Sequence, residues 1–165
     1  MRRKEREITD WDDIIDVLRK CSVIRLGLNT DGYPYVVPLN FGFETEGKSL
    51  TLWFHCATQG QKLELIRQNP KAGFEADCSL KLVEGERARG YTMEYESVIG
   101  HGDVEICEDS TSKRRGLTAI MSQYAPERDF DFRDDEIADL FVLRLDVVQI
   151  TGKRLKQANL PPKME

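Results

Sequence analysis

The residues best able to do chemistry lie together in His55-Cys56-Ala57-Thr58-Gln59-Gly60-Gln61-Lys62, where a strand-like alternation gives way to a helical one. A helix start leaves its first amide hydrogens without partners and carries the positive end of the helix dipole, so it can seat an anion. Thr58 can cap such a start, Gly60 lets a ligand approach the backbone, and Lys62 adds a full positive charge in the first turn. That set suits a phosphate. It fits equally well a plain threonine cap and a lysine that only hydrates the helix surface.

His55 shares a strand face with Trp53, opposite Leu50, Leu52 and Phe54, so the Trp53 side is expected to be open to an aromatic ring. A histidine at a strand end can donate to a ligand carbonyl, titrate near neutral pH or act as a general acid. A histidine bonded to a backbone carbonyl is the simpler alternative. His55 and His101 are the only two histidines, with no carboxylate or cysteine at metal-ligand spacing, so no metal site is expected. In Tyr35-Val36-Val37-Pro38-Leu39-Asn40-Phe41-Gly42-Phe43, Pro38 confines its strand to an edge or to a broken ladder. Backbone groups freed there, together with the Asn40 amide, can read the polar edge of a heteroaromatic ring; edge protection alone explains the proline equally well.

Strands and short helices must position these groups. Thr9-Asp10 predicts a helix cap, followed by Trp11, Ile14, Ile15 and Leu18 at helical spacing. Period-two alternation predicts strands over 22–29, 35–43, 49–55, 72–78, 90–107 and 141–152, six in all. Turn signals at Asp31-Gly32 and Glu46-Gly47-Lys48 make the first three antiparallel. A short helix over 58–68 ends at Asn69-Pro70, and another is capped by Asp109-Ser110, with a further helical turn expected within 126–139. Gly100 and Gly102 inside one strand predict a bulge or tight bend. Parallel strands would need a crossover helix after nearly every strand, and those helices are missing. The expected class is mainly β, a six-stranded antiparallel barrel with a few short helices.

The chain has 165 residues, 24 Lys+Arg against 29 Asp+Glu, a net charge of −5 and a pI of about 5.2. This size predicts one domain over 1–156, with a loose tail at 157–165 containing Pro161-Pro162. The acidic balance argues against bulk binding to nucleic acid or an anionic membrane. No apolar run is long enough to span a bilayer and no signal-type segment opens the chain, so a cytoplasmic location is expected. Cys21, Cys56, Cys78 and Cys107 are scattered without a CxxC and read as reduced.

Pro34-Tyr35-Val36-Val37-Pro38-Leu39-Asn40-Phe41, Trp53-Phe54-His55 and Gly60-Gln61-Lys62 together resemble the pyridoxamine 5'-phosphate oxidase-related flavoproteins, most closely their nitroimidazole-resistance branch. The resemblance runs from Arg2-Arg3-Lys4 to Ile150-Thr151-Gly152-Lys153. It implies a split β-barrel of FMN-binding type, a homodimer with FMN in a groove between subunits, and small-molecule electron donors and acceptors. By motif, Val37, Pro38, Leu39 and Asn40 would line the isoalloxazine ring and Trp53, Phe54 and His55 would flank it, His55 as the catalytic candidate. Thr58, Gly60, Gln61 and Lys62 would hold the phosphate. The strand through Tyr95 and Ser97 would join the dimer contact and reach the partner's cofactor, with Tyr91, Tyr95 and Phe141 candidates for burial there. The arginine and histidine pair with which the oxidase proper holds its vitamin substrate has no counterpart, so vitamin B6 oxidation is not expected. The implied activity is flavin-dependent oxidoreduction; the alternative is a non-catalytic module holding flavin, deazaflavin or haem.

Overall fold

Apolar side chains at every second position of Ile24–Leu28 and Ser49–Ala57 turn inward, and the sheet they build curls around one core. The computed structural model describes residues 3–156; the expected tail lies outside them. The strands are β1 (Glu7–Ile8), β2 (Ile24–Leu28), β3 (Tyr35–Leu39), β4 (Gly42–Glu46), β5 (Ser49–Ala57), β6 (Lys71–Val83), β7 (Thr92–Cys107) and β8 (Leu140–Leu155). The helices are α1 (Trp11–Lys20), α2 (Gln61–Gln68), α3 (Ser110–Tyr124) and α4 (Asp134–Ile137).

All pairings are antiparallel, in the order β3-β2-β6-β7-β8-β5-β4, with β1 added on β8. No ladder joins β3 to β4, so the barrel stays split where the two ends of the sheet meet at Asn40-Phe41. Two differences turn the expected six strands into the observed eight. The 35–43 segment divides into β3 and β4 because the Phe41 amide leaves the ladder for the Tyr124 hydroxyl, at 3.0 Å. The other is β1, whose two residues carry too little pattern to be read.

The bend expected at Gly100 and Gly102 is present. The register shifts between His101 and Gly102, leaving Val148 of β8 without an opposite residue. A Cβ on Gly100 would lie 2.4 Å from the Phe74 ring, and one on Gly102 would lie 2.1 Å from the Asp146 carbonyl oxygen. Asp10 caps α1 by accepting from the Asp12 and Asp13 amides, and Asp109 caps α3 by accepting from Ser112.

The barrel interior holds the main core, with Leu26, Leu52, Phe54, Leu63, Phe74, Leu143 and Leu145 buried. A second core lies between α3 and the outer face of the sheet, formed by Trp53, Cys107, Leu117, Ala119, Ile120, Ile137 and Val142. No helix among the described residues is long and apolar enough to cross a membrane.

Candidate functional site

β5 carries the chain out of the barrel wall and releases it at Ala57, three residues before α2 is nucleated. The cap of α2 differs from expectation. Gly60, not Thr58, is the N-cap residue, with φ +132 and no side-chain cap. Only glycine reaches that backbone region comfortably. The Leu63 and Glu64 amides turn back to the Gly60 carbonyl, at 3.0 and 3.4 Å, so α2 opens without the side-chain oxygen that usually occupies such a start. Lys62 is half-buried in that first turn. Its ammonium is close enough to the Cys56 thiol to oppose the rise in thiol pKa that burial causes. Thr58 is half-buried, and Gly60 and Gln61 are exposed.

His55 is exposed two residues before the end of β5. Its expected companions are not open to a ligand. Phe54 is fully enclosed in the main core, and Trp53 is 1% exposed because α3 covers the face that alternation left free. The Trp53 indole Nε1 donates to Glu44 at 2.8 Å, and the Arg115 guanidinium stands 5.7 Å from the ring while donating to the same carboxylate. Gly116 permits this cover, since a Cβ there would sit 2.7 Å from Trp53 Cε3. The signal was the apolar stripe of α3, which had to be buried against some face of the sheet.

Beyond Trp53, β5 has lost β4 as a neighbour, so Phe54 to Ala57 are paired only with β8. β3 is likewise paired on one side, with β2. Among the described residues, two unpaired backbone edges therefore flank the split. Along β3, Val37 and Leu39 turn toward the core, whereas Pro38 and Asn40 are exposed. Asn40 is anchored: its Nδ2 donates to the Ser22 carbonyl at 3.3 Å and to the Tyr124 hydroxyl at 3.2 Å. Tyr124 escapes a reading of the sequence because its partners are more than eighty residues away along the chain.

Tyr95 and Ser97 are half-buried on the outward side of β7. They do not join the other site residues within one chain. Ala57 pairs with Leu140, the first residue of β8, and Tyr95 pairs with Leu155, the last. Phe141 is half-buried, with the Lys113 ammonium 5.5 Å from its ring, and Tyr91 is exposed. An open groove of about 600 Å³ lies elsewhere, where Gly27 and Gly73 face each other on β2 and β6 beside His101, and no expected site residue lines it. Gly27, Gly73 and Gly102 contribute no side chains to it, and its polar lining, Asn29, Lys71, His101 and Asp103, includes the Lys71–Asp103 ion pair.

A sequence profile described as pyridoxamine 5'-phosphate oxidase matches residues 10–154. No curated protein matches the chain. Among solved structures, a protein of Bacteroides thetaiotaomicron VPI-5482 proposed to confer 5-nitroimidazole antibiotic resistance is 32% identical, with a TM-score of 0.77 over 89% of this chain and 85% of that one. An FAD- and haem-binding protein of Mycobacterium smegmatis is 20% identical, with a TM-score of 0.78 over 92% of this chain and 74% of that one. The flavocytochrome Anf3 of Azotobacter vinelandii is 18% identical, with a TM-score of 0.74 over 96% of this chain and 84% of that one. At those last two identities the likeness is one of fold.

Proposed function

Because the chain belongs to the pyridoxamine 5'-phosphate oxidase family, we propose that it binds FMN at the split of its barrel and works, as a homodimer, as a flavin-dependent oxidoreductase. The observation that carries this reading is the start of α2, an amide-lined helix end with no side-chain cap, opened by Gly60 at φ +132 and flanked by Lys62. This donor set suits a phosphate dianion. The unpaired edges of β3 and of Phe54 to Ala57 present backbone donors and acceptors to the polar rim of a ring. Bound FMN would supply electron transfer; the protein's own part is to hold and orient the ring and to shield it from water. Trp53 and Phe54 would contribute main chain rather than rings, and Asn40 and Pro38 would meet the ligand directly. His55, exposed on the same stretch of β5, is placed to donate a proton to an acceptor such as a nitro group.

A second copy is part of this reading. Tyr95 and Ser97 sit at the opposite end of β8 from the α2 start, so they reach a flavin only if it is their partner's. The β6–β7 arm supports such an embrace, with Leu80, Leu82, Tyr91 and Met93 between 42 and 61% exposed. Apolar side chains grouped like this on a surface favour a protein contact.

The absorbance spectrum of the purified protein is the first test. Flavin bands that bleach with a reduced nicotinamide and return over many turnovers with a nitroaromatic acceptor support the enzyme. A haem Soret band, or bleaching without turnover, supports a carrier. Lys62→Ala is expected to weaken FMN binding by about 1.5–3 kcal/mol, the range for a hydrogen bond to a charged group; an unchanged dissociation constant in a fluorescence titration removes Lys62 from the site. His55→Ala is expected to retain flavin and lose turnover, on the order of the hundredfold typical of a proton donor. Equal turnover would reduce His55 to a surface residue.

A further inference from the structure

We propose that Tyr124 is a positioning residue for the flavin seat: its hydroxyl holds the Asn40 side chain so that the amide oxygen faces the split, as an acceptor for an imide N–H. This rests on the FMN reading above and adds to it which atom of the ring Asn40 recognises.

The tyrosine hydroxyl has one proton and two lone pairs. Its proton goes to the Ser22 carbonyl at 2.7 Å. Its lone pairs receive the Phe41 amide at 3.0 Å and Asn40 Nδ2 at 3.2 Å. The same Nδ2 lies 3.3 Å from the Ser22 carbonyl oxygen. A carbonyl can only accept, and the one hydroxyl proton is already given away. Turning the amide over would therefore set oxygen against oxygen at both contacts, so the amide has one permitted orientation. Among the described residues nothing donates to Asn40 Oδ1, and Asn40 is exposed at the meeting point of β3 and β4.

The anchor is itself fixed. Gln123, the residue before Tyr124, places Nε2, which carries two hydrogens, 3.1, 3.2 and 2.9 Å from the Leu18, Arg19 and Cys21 carbonyl oxygens. The last turn of α3 thus closes the end of α1 and pins the break in the sheet together. An acceptor held in this way suits the one donor on the pyrimidine rim of an oxidised isoalloxazine, the N3–H between its two carbonyls. It does not suit those carbonyls, which need donors. Asn40 accordingly distinguishes an imide ring from one whose imide is methylated.

Fluorescence titration of FMN and of 3-methyl-FMN against the 165-residue chain, Asn40→Ala and Tyr124→Phe tests this. The wild-type chain is expected to prefer FMN by about tenfold, the size of one hydrogen bond at about 1.4 kcal/mol. Asn40→Ala is expected to abolish the preference, and Tyr124→Phe to reduce it severalfold, because the amide is then held by the Ser22 carbonyl alone. Lost stability alone would weaken both ligands together and leave their ratio unchanged. Equal affinities in the wild-type chain overturn the inference while leaving FMN binding intact. A preference that persists in Asn40→Ala assigns it to the size of the methyl group, and one undiminished in folded Tyr124→Phe removes the tyrosine from the role. Should Tyr124→Phe fail to fold, NMR of the Asn40 side-chain amide in the wild-type chain decides instead: slowed exchange of its protons supports the Tyr124 contact, and free exchange overturns it. If the wild-type chain binds neither flavin, the FMN reading fails and this inference with it.

Discussion

Glu96→Ala is expected to cost about 3–5 kcal/mol of stability, as for one partner removed from a buried ionic cluster. Glu96 is 3% exposed and accepts from Lys20 at 3.0 Å, from Ser79 at 2.9 Å and from Arg154, which also faces Asp13 at 3.5 Å. These contacts tie the end of α1 to β6, β7 and β8. Ser79 reaches the carboxylate from an irregularity in β6, where it takes φ +57. Removing the carboxylate leaves the half-buried Arg154 guanidinium with a poorer partner and opens a void.

The same cluster predicts a pH dependence. Burial acts to raise the Glu96 pKa, but the hydrogen bonds from Lys20, Ser79 and Arg154 prevail and hold it at about 2, against an ordinary 4.5. A depressed carboxyl pKa contributes stability that is complete above the unfolded value and disappears as pH falls through the folded one. The contribution, about 3 kcal/mol at 1.36 kcal/mol per pH unit, is expected to be lost between pH 5 and pH 2. Urea unfolding of the wild-type chain and of Glu96→Gln across that range is the measurement. The wild-type curve should fall the more steeply, and parallel curves would show that Glu96 is not held ionised by its neighbours.

Gly42→Ala is expected to destabilise by about 3 kcal/mol or more, at the upper end of overpacking costs. A Cβ at Gly42 would lie 2.2 Å from the Ala119 carbonyl carbon and oxygen and 2.3 Å from the Ile120 nitrogen. Those are backbone atoms of a helix with nowhere to retreat, since at Gly116 the same helix meets Val142 and Trp53. The strain falls on α3, which covers Trp53 and carries Gln123 and Tyr124. A drop in midpoint of roughly 6–12 °C is expected by calorimetry. A midpoint within a degree or so of the wild-type value would mean that α3 slides freely on β4.

How far the sequence reached follows from the range of each interaction. The helix caps at Asp10 and Asp109 and the bend at Gly100-Gly102 were legible because each involves residues a few positions apart or a missing side chain. The strands were legible for the same reason, except for the two-residue β1 and where Phe41 gave its amide to a tyrosine far along the chain. The Thr58 cap was misplaced by two residues because threonine and glycine both suit a helix start, and only the backbone path off β5 chooses between them.

The functional face was the harder part. Alternation placed Trp53 correctly on the outer side of β5 but could not say that α3 lies on it, since period two reports direction and not cover. The local pattern of residues 55–62 determined by itself that a helix start carrying Gly60 and Lys62 follows the strand of His55, because charge and glycine freedom act over one turn of chain. The packing of α3 decided which side of β5 stays open and which pole of the Asn40 amide is exposed, because both depend on contacts between segments tens of residues apart.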